Sequence, residues 1–77
     1  MKPQMLVELH EWGLRVSRLI ELVALTNKTL QMHRELGDSQ LMIEQYEHLL
    51  AEHQQELDEL LKTYGLTVSV QPVNNAA

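Results

Sequence analysis

Residues 36–40, Leu36-Gly37-Asp38-Ser39-Gln40, decide how this chain folds. Apolar residues recur at helical spacing upstream of them, and again downstream as far as Tyr64. Gly37 stands where a helix ends in a left-handed residue, a conformation that glycine adopts without a Cβ penalty. Asp38 and Ser39 each offer an oxygen that can accept a free N–H from the first turn of a following helix. No Glu or Gln completes a capping box, so the second helix start is placed only to within a residue or two. A connection this short makes consecutive helices antiparallel neighbours. The expected fold is therefore all-α, an antiparallel, coiled-coil-like two-helix hairpin.

Upstream, Pro3 suits a first helical position, where its missing N–H goes unnoticed. From there to Leu36 only Gly13 weakens a helix. Leu9, Val16, Val23 and Leu30 recur every seven residues, and Trp12, Leu19 and Thr26 follow three residues after the first three of them. That is an a/d-like seam. Downstream, Ile43, Leu50, Leu57 and Tyr64 form one heptad row and Tyr46, His53 and Leu60 another, with Met42, Leu49 and Leu61 widening the stripe. Gly65 is a second C′ glycine, and Leu66 is placed to touch Leu61 as a Schellman ending favours. The hairpin is thus expected over residues 1–65, with a helix over about 3–36, a turn at 37–39 and a helix over about 39–64. Its core is expected from Leu9, Trp12, Val16, Leu19, Val23, Leu30, Ile43, Tyr46, Leu50, His53, Leu57, Leu60 and Tyr64. Pairing outward from the turn sets Leu30 near Tyr46, Val23 near His53, Val16 near Leu60 and Trp12 near Tyr64.

Residues 66–77 have a different pattern and are expected to be an extended or disordered tail. Thr67-Val68-Ser69-Val70 alternates like a short strand, which Pro72 ends. A lone strand is unstable, so this segment is expected to pair with another chain, lie on the hairpin or be disordered. The first helix is the longer by roughly two turns at about 1.5 Å per residue. Leu66, Val68 and Val70 are therefore candidates to cover its overhang, Met5, Leu6 and Leu9.

The first helix also carries more apolar surface than a hairpin can bury. At about 100° per residue, Val7, Leu14, Leu22, Leu25, Met32 and Leu36 gather nearly opposite the seam, with Arg18 and Thr29 among them. Exposing such side chains forfeits about 1.5–3 kcal/mol each relative to burial, and soluble monomers rarely leave a patch of this kind open. Single exposed leucines are commonplace, so the weight lies on their continuity. Leu14, Leu22, Leu25, Met32 and Leu36 are the expected protein-interaction residues. A homodimer with both first helices inside and both second helices outside would make a four-helix bundle. Docking onto another protein would cover the same stripe.

Composition narrows the function classes. A chain of 77 residues makes one small domain, which usually needs a staple or an oligomeric partner. It has no cysteine, which removes disulfides and thiolate metal sites and suits a cytoplasmic setting, the expected location. No uninterrupted apolar core follows Lys2, so no signal peptide is expected. Leu14 to Leu25, the most apolar stretch, holds Arg15, Arg18 and Glu21 and is too short and charged to cross a bilayer. The net charge of −5 disfavours nucleic acid and membrane insertion is not expected. Residues 1–37 carry five basic and four acidic side chains, while residues 38–64 carry one and seven. A near-neutral helix beside an acidic one avoids like-charge repulsion.

No residue constellation signals chemistry. His10, His33, His48 and His53 lack the spacing of three or four that puts ligands on one helical face. Glu44, His48 and Glu52 do align, but away from the seam, as a solvated row. Glu52, Glu56, Asp58 and Glu59 form an acidic stretch without a facing element, and no nucleophile stands beside a base. Neither catalysis nor a cofactor or metal is expected. His53 lies on the seam, where with Asn27 it could form a polar layer that fixes register. Trp12 and Tyr64 are expected to cap the open end of the core, and Gly13 beside Trp12 to allow close helix approach or a kink.

The architecture resembles other small two-helix hairpins, the plasmid RNA-binding four-helix dimers and the small co-chaperones of type III secretion needle proteins. With the second group it shares acidic character and a glycine-containing turn followed by Gln45-Tyr46. Likeness of architecture transfers no function. The expected function is a small non-catalytic interaction or oligomerisation module, a homodimer or a subunit of a larger assembly. An alternative is a chaperone or antidote shielding a hydrophobic segment of a client. A nucleic-acid-binding regulator would need Arg15, Arg18, Lys28 and Arg34 on one face, and on a helical wheel they scatter.

Overall fold

The computed structural model describes residues 3–68 and 70–73. They form two helices, α1 (Pro3–Leu36) and α2 (Gln40–Lys62), packed against each other as a hairpin, with no strand among the described residues. The molecule measures 53 × 24 × 14 Å, so its length is that of α1 and it is one helix layer thick.

Both glycines act as the local chemistry requires. Gly37 has φ +69° and Gly65 has φ +74°. At the first, Gly37 N–H donates to Arg34 O (3.2 Å) and Asp38 N–H to His33 O (3.0 Å). At the second, Gly65 N–H donates to Lys62 O (3.0 Å) and Leu66 N–H to Leu61 O (3.1 Å). Each pair is the 5→2 and 6→1 pattern of a Schellman motif, which satisfies carbonyls that a helix end leaves free. Ser39 is the cap of α2, its hydroxyl oxygen accepting from Met42 N–H at 3.3 Å. Asp38 instead meets the His33 imidazole, whose ring stacks on Tyr46. The final turn of α2 tightens, with Thr63 and Tyr64 donating three residues back, so the α-helix stops at Lys62 rather than Tyr64.

The core is a thin seam. Val23, Leu30 and Leu50 form its buried cluster, with Ile43, Tyr46 and Val70 packed against them. Leu57 and Leu61 are buried further along, and Thr26 is the one buried polar residue among those described. Trp12, Val16, Leu19, His53 and Leu60 are half-buried. Two expected core positions differ: Leu9 and Tyr64 are exposed, at 41% and 43%. They sit at the open end of the hairpin, where α1 runs past the end of α2.

The tail lies on the hairpin, but not over the overhang of α1. Met5, Leu6 and Leu9 remain exposed. The turn at Gly65 sends the chain back along the hairpin instead. Val70 O accepts from Gln54 Nε2 at 3.0 Å, and residues 70–73 lie beside Ile20, Val23, Ala24 and Asn27 of α1. The interior of a seam this thin offers Val70 a better apolar contact than a single overhanging helix does. Residues 67 and 68 are not a strand, and Ser69 and Asn74 to Ala77 lie outside the described residues.

Candidate interaction surface

The tail divides the hairpin into two unlike sides. It lies over the flank that displays Ile20, Ala24 and Asn27 from α1 and Gln54 and Asp58 from α2. At about 100° per residue, the opposite flank of α2 displays Met42 and Leu49. Both are exposed rather than part of the seam they widen in the heptad reading. Leu14, Arg15, Arg18, Leu19 and Glu56 line a shallow open groove on this second flank.

The outer stripe of α1 is where the seam reading puts it. Leu14, Leu25, Met32 and Leu36 are each more than half exposed, and so is Val7. Leu22 is different: it is half-buried, because its position on the helix lies nearer the seam than its neighbours in the stripe. The hairpin thus buries five apolar side chains among the described residues and leaves a comparable number of large ones open along one side of α1.

Neither a family model, nor a curated protein, nor a solved structure matches this chain.

The polar residues make local contacts. Arg34 pairs with Glu47 at 3.2 Å across the helices, near the turn. His48 meets Glu52 at 2.9 Å along exposed α2, as befits a solvated row. Lys62 lies 3.0 Å from Asp58, and this hydrogen bond, with the carboxylate's charge, raises the Lys62 pKa. Its small contribution is present below the ordinary lysine value and is lost as pH rises through the raised one, far above neutrality. No helix among the described residues is long and apolar enough to cross a membrane.

At the open end, Trp12 Nε1–H donates to Leu60 O at 2.7 Å, and its ring meets Tyr64 edge-on with centroids 4.8 Å apart. The aromatic pairing is legible from the heptad rows. The indole bond to a carbonyl at the end of α2 is not, since it depends on how closely the helices approach.

His53 does not form the expected layer with Asn27. Its Nδ1 is buried without a hydrogen-bond partner, while Asn27 turns to the tail side. The two residues lie on opposite flanks of the seam. An unpaired buried polar atom opposes folding by about 1–3 kcal/mol. His53→Leu should therefore raise the thermal midpoint, read by circular dichroism. A marked fall would mean that Nδ1 finds a partner in the assembled protein.

Proposed function

We propose that the chain is a non-catalytic oligomerisation module, an antiparallel helical hairpin that pairs with a second copy through the outer stripe of α1. The observation that carries this reading is the stripe itself: Leu14, Leu25, Met32 and Leu36, each more than half exposed on one helix of a hairpin with a thin core. Burying such a stripe adds the apolar burial that a chain of this length lacks. The near-neutral α1 helices then lie inside and the acidic α2 helices outside, which keeps the like charges of α2 apart. Because the stripe lies nearly opposite the hairpin seam, the four helices make a flattened bundle.

The test is light scattering of the purified chain over a range of concentrations, beside a Leu14→Glu, Leu25→Glu variant. The wild type should have twice the chain mass and the variant the mass of one chain. Leu22 is left untouched because its partial burial would confuse loss of pairing with loss of folding. A fully helical wild-type monomer at all concentrations would overturn the proposal.

A further inference from the structure

The outer side of α1 contains a second pattern, and it reads the same from either end. Val7, Glu11, Leu14 and Arg18 are followed by Glu21, Leu25, Lys28 and Met32, at alternating spacings of four and three. That alternation is the 3.5-residue repeat of a coiled-coil seam. Folding the run at its midpoint, between Leu19 and Ile20, sets Val7 against Met32, Glu11 against Lys28, Leu14 against Leu25 and Arg18 against Glu21. Apolar meets apolar and acid meets base at every position.

All eight side chains are exposed on α1. The four charged ones take part in none of the ion pairs or side-chain hydrogen bonds among the described residues. The hairpin thus leaves unused a complete set of complementary groups, arranged as a two-fold axis requires.

We infer that this face binds the same face of a second copy, α1 against α1 in antiparallel, in the one register where residue numbers of facing positions mirror about the midpoint of Leu19 and Ile20. This rests on the proposed pairing through α1 and adds its orientation and register. The charges select both. Sliding one copy by a heptad in one direction sets Glu11 against Glu21. Sliding it the other way sets Arg18 against Lys28 and Glu11 against Glu35. A parallel arrangement sets every charge against its own copy. Like charges at facing positions of this run disfavour each of these alternatives. In the mirrored register the two-fold axis repeats each match, so an isologous dimer gains two Glu11–Lys28 and two Arg18–Glu21 pairs.

Charge reversal tests the register between chains. In an Arg18→Glu homodimer both facing pairs become acid against acid, and in a Glu21→Arg homodimer base against base. Each variant alone should dimerise about tenfold more weakly than the wild type, in sedimentation over a concentration series. Mixed, they should form a heterodimer of near wild-type affinity, because each facing pair is again opposite in sign. Glu11→Lys with Lys28→Glu provides an independent pair with the same expectation, should one of the first variants lose helicity. A dimeric wild type whose variants and mixtures do not differ from it would overturn the register while leaving the pairing through α1 standing. A monomeric wild type would overturn both.

Discussion

Leu30→Ala is expected to lower the stability of the hairpin by about 2–5 kcal/mol. Leu30 is 2% exposed and belongs to the buried cluster, with Val23 and Leu50 in it and Ile43, Tyr46 and Val70 against it. Truncation removes the transfer free energy of three carbon atoms and leaves a cavity. A seam one side chain deep cannot fill that cavity by a small shift, since the helices would have to approach along their whole length. For a chain of this size, total stability is on the order of 4–12 kcal/mol. One truncation therefore removes a large share of it. Urea titration followed by helical circular dichroism measures the effect, with Leu25→Ala on the open stripe as the comparison at low protein concentration. A Leu30→Ala midpoint equal to that of Leu25→Ala would show that the core is elsewhere.

Trp12→Ala is expected to follow closely, at about 3 kcal/mol, and Trp12→Phe at about 1 kcal/mol. The two variants separate two contributions. Phenylalanine can keep the edge-on contact with Tyr64 but not the bond to Leu60 O. That carbonyl also accepts from Thr63 N–H at 3.3 Å, so it is not left bare when the indole is removed. The expected loss is accordingly that of one hydrogen bond rather than of a buried unsatisfied group. Trp12→Ala in addition opens the end of the hairpin, where Leu9 and Tyr64 are already exposed. Amide exchange should quicken at Leu60 to Gly65 in both variants and further in Trp12→Ala. Unchanged exchange there would mean that Trp12 does not secure the end of α2.

Much of the hairpin is legible in the sequence because its determinants are local. Gly37 and Gly65 sit at φ +69° and +74°, and the need for glycine there arises from the helix turn directly before each. Ser39 reaches only to Met42. The heptad rows place Leu30 with Tyr46 and Trp12 with Tyr64; Tyr46 packs against the buried cluster that contains Leu30, and the rings of Trp12 and Tyr64 meet. The choice between Asp38 and Ser39 as cap is open in the sequence because both side chains suit it; the contact of Asp38 with His33 resolves it.

Other features depend on how far each helix is rotated about its own axis. Leu22 belongs to the outer stripe by spacing, yet is half-buried, whereas Met42 and Leu49 belong to the seam by spacing, yet are exposed. A difference of one position on the wheel is about 100°, and a stripe's edge falls within that step. Asn27 and His53 are both near the seam in number but lie on opposite flanks of it. For the same reason the candidate surface is known from sequence as a stripe of α1, while the α2 side chains beside it are not.

By itself, then, the amino-acid order determined two helices, their glycine-bounded ends, the seam between them and the self-complementary run on the outer side of α1, because each follows from spacings along a single helix. Only the tertiary structure decided that the tail turns back at Gly65 and lies across one flank, that Trp12 reaches the end carbonyl of α2, and that the other flank stays open. Those outcomes join residues far apart in sequence. They depend on the distance and rotation between two packed helices, which no spacing within either helix specifies.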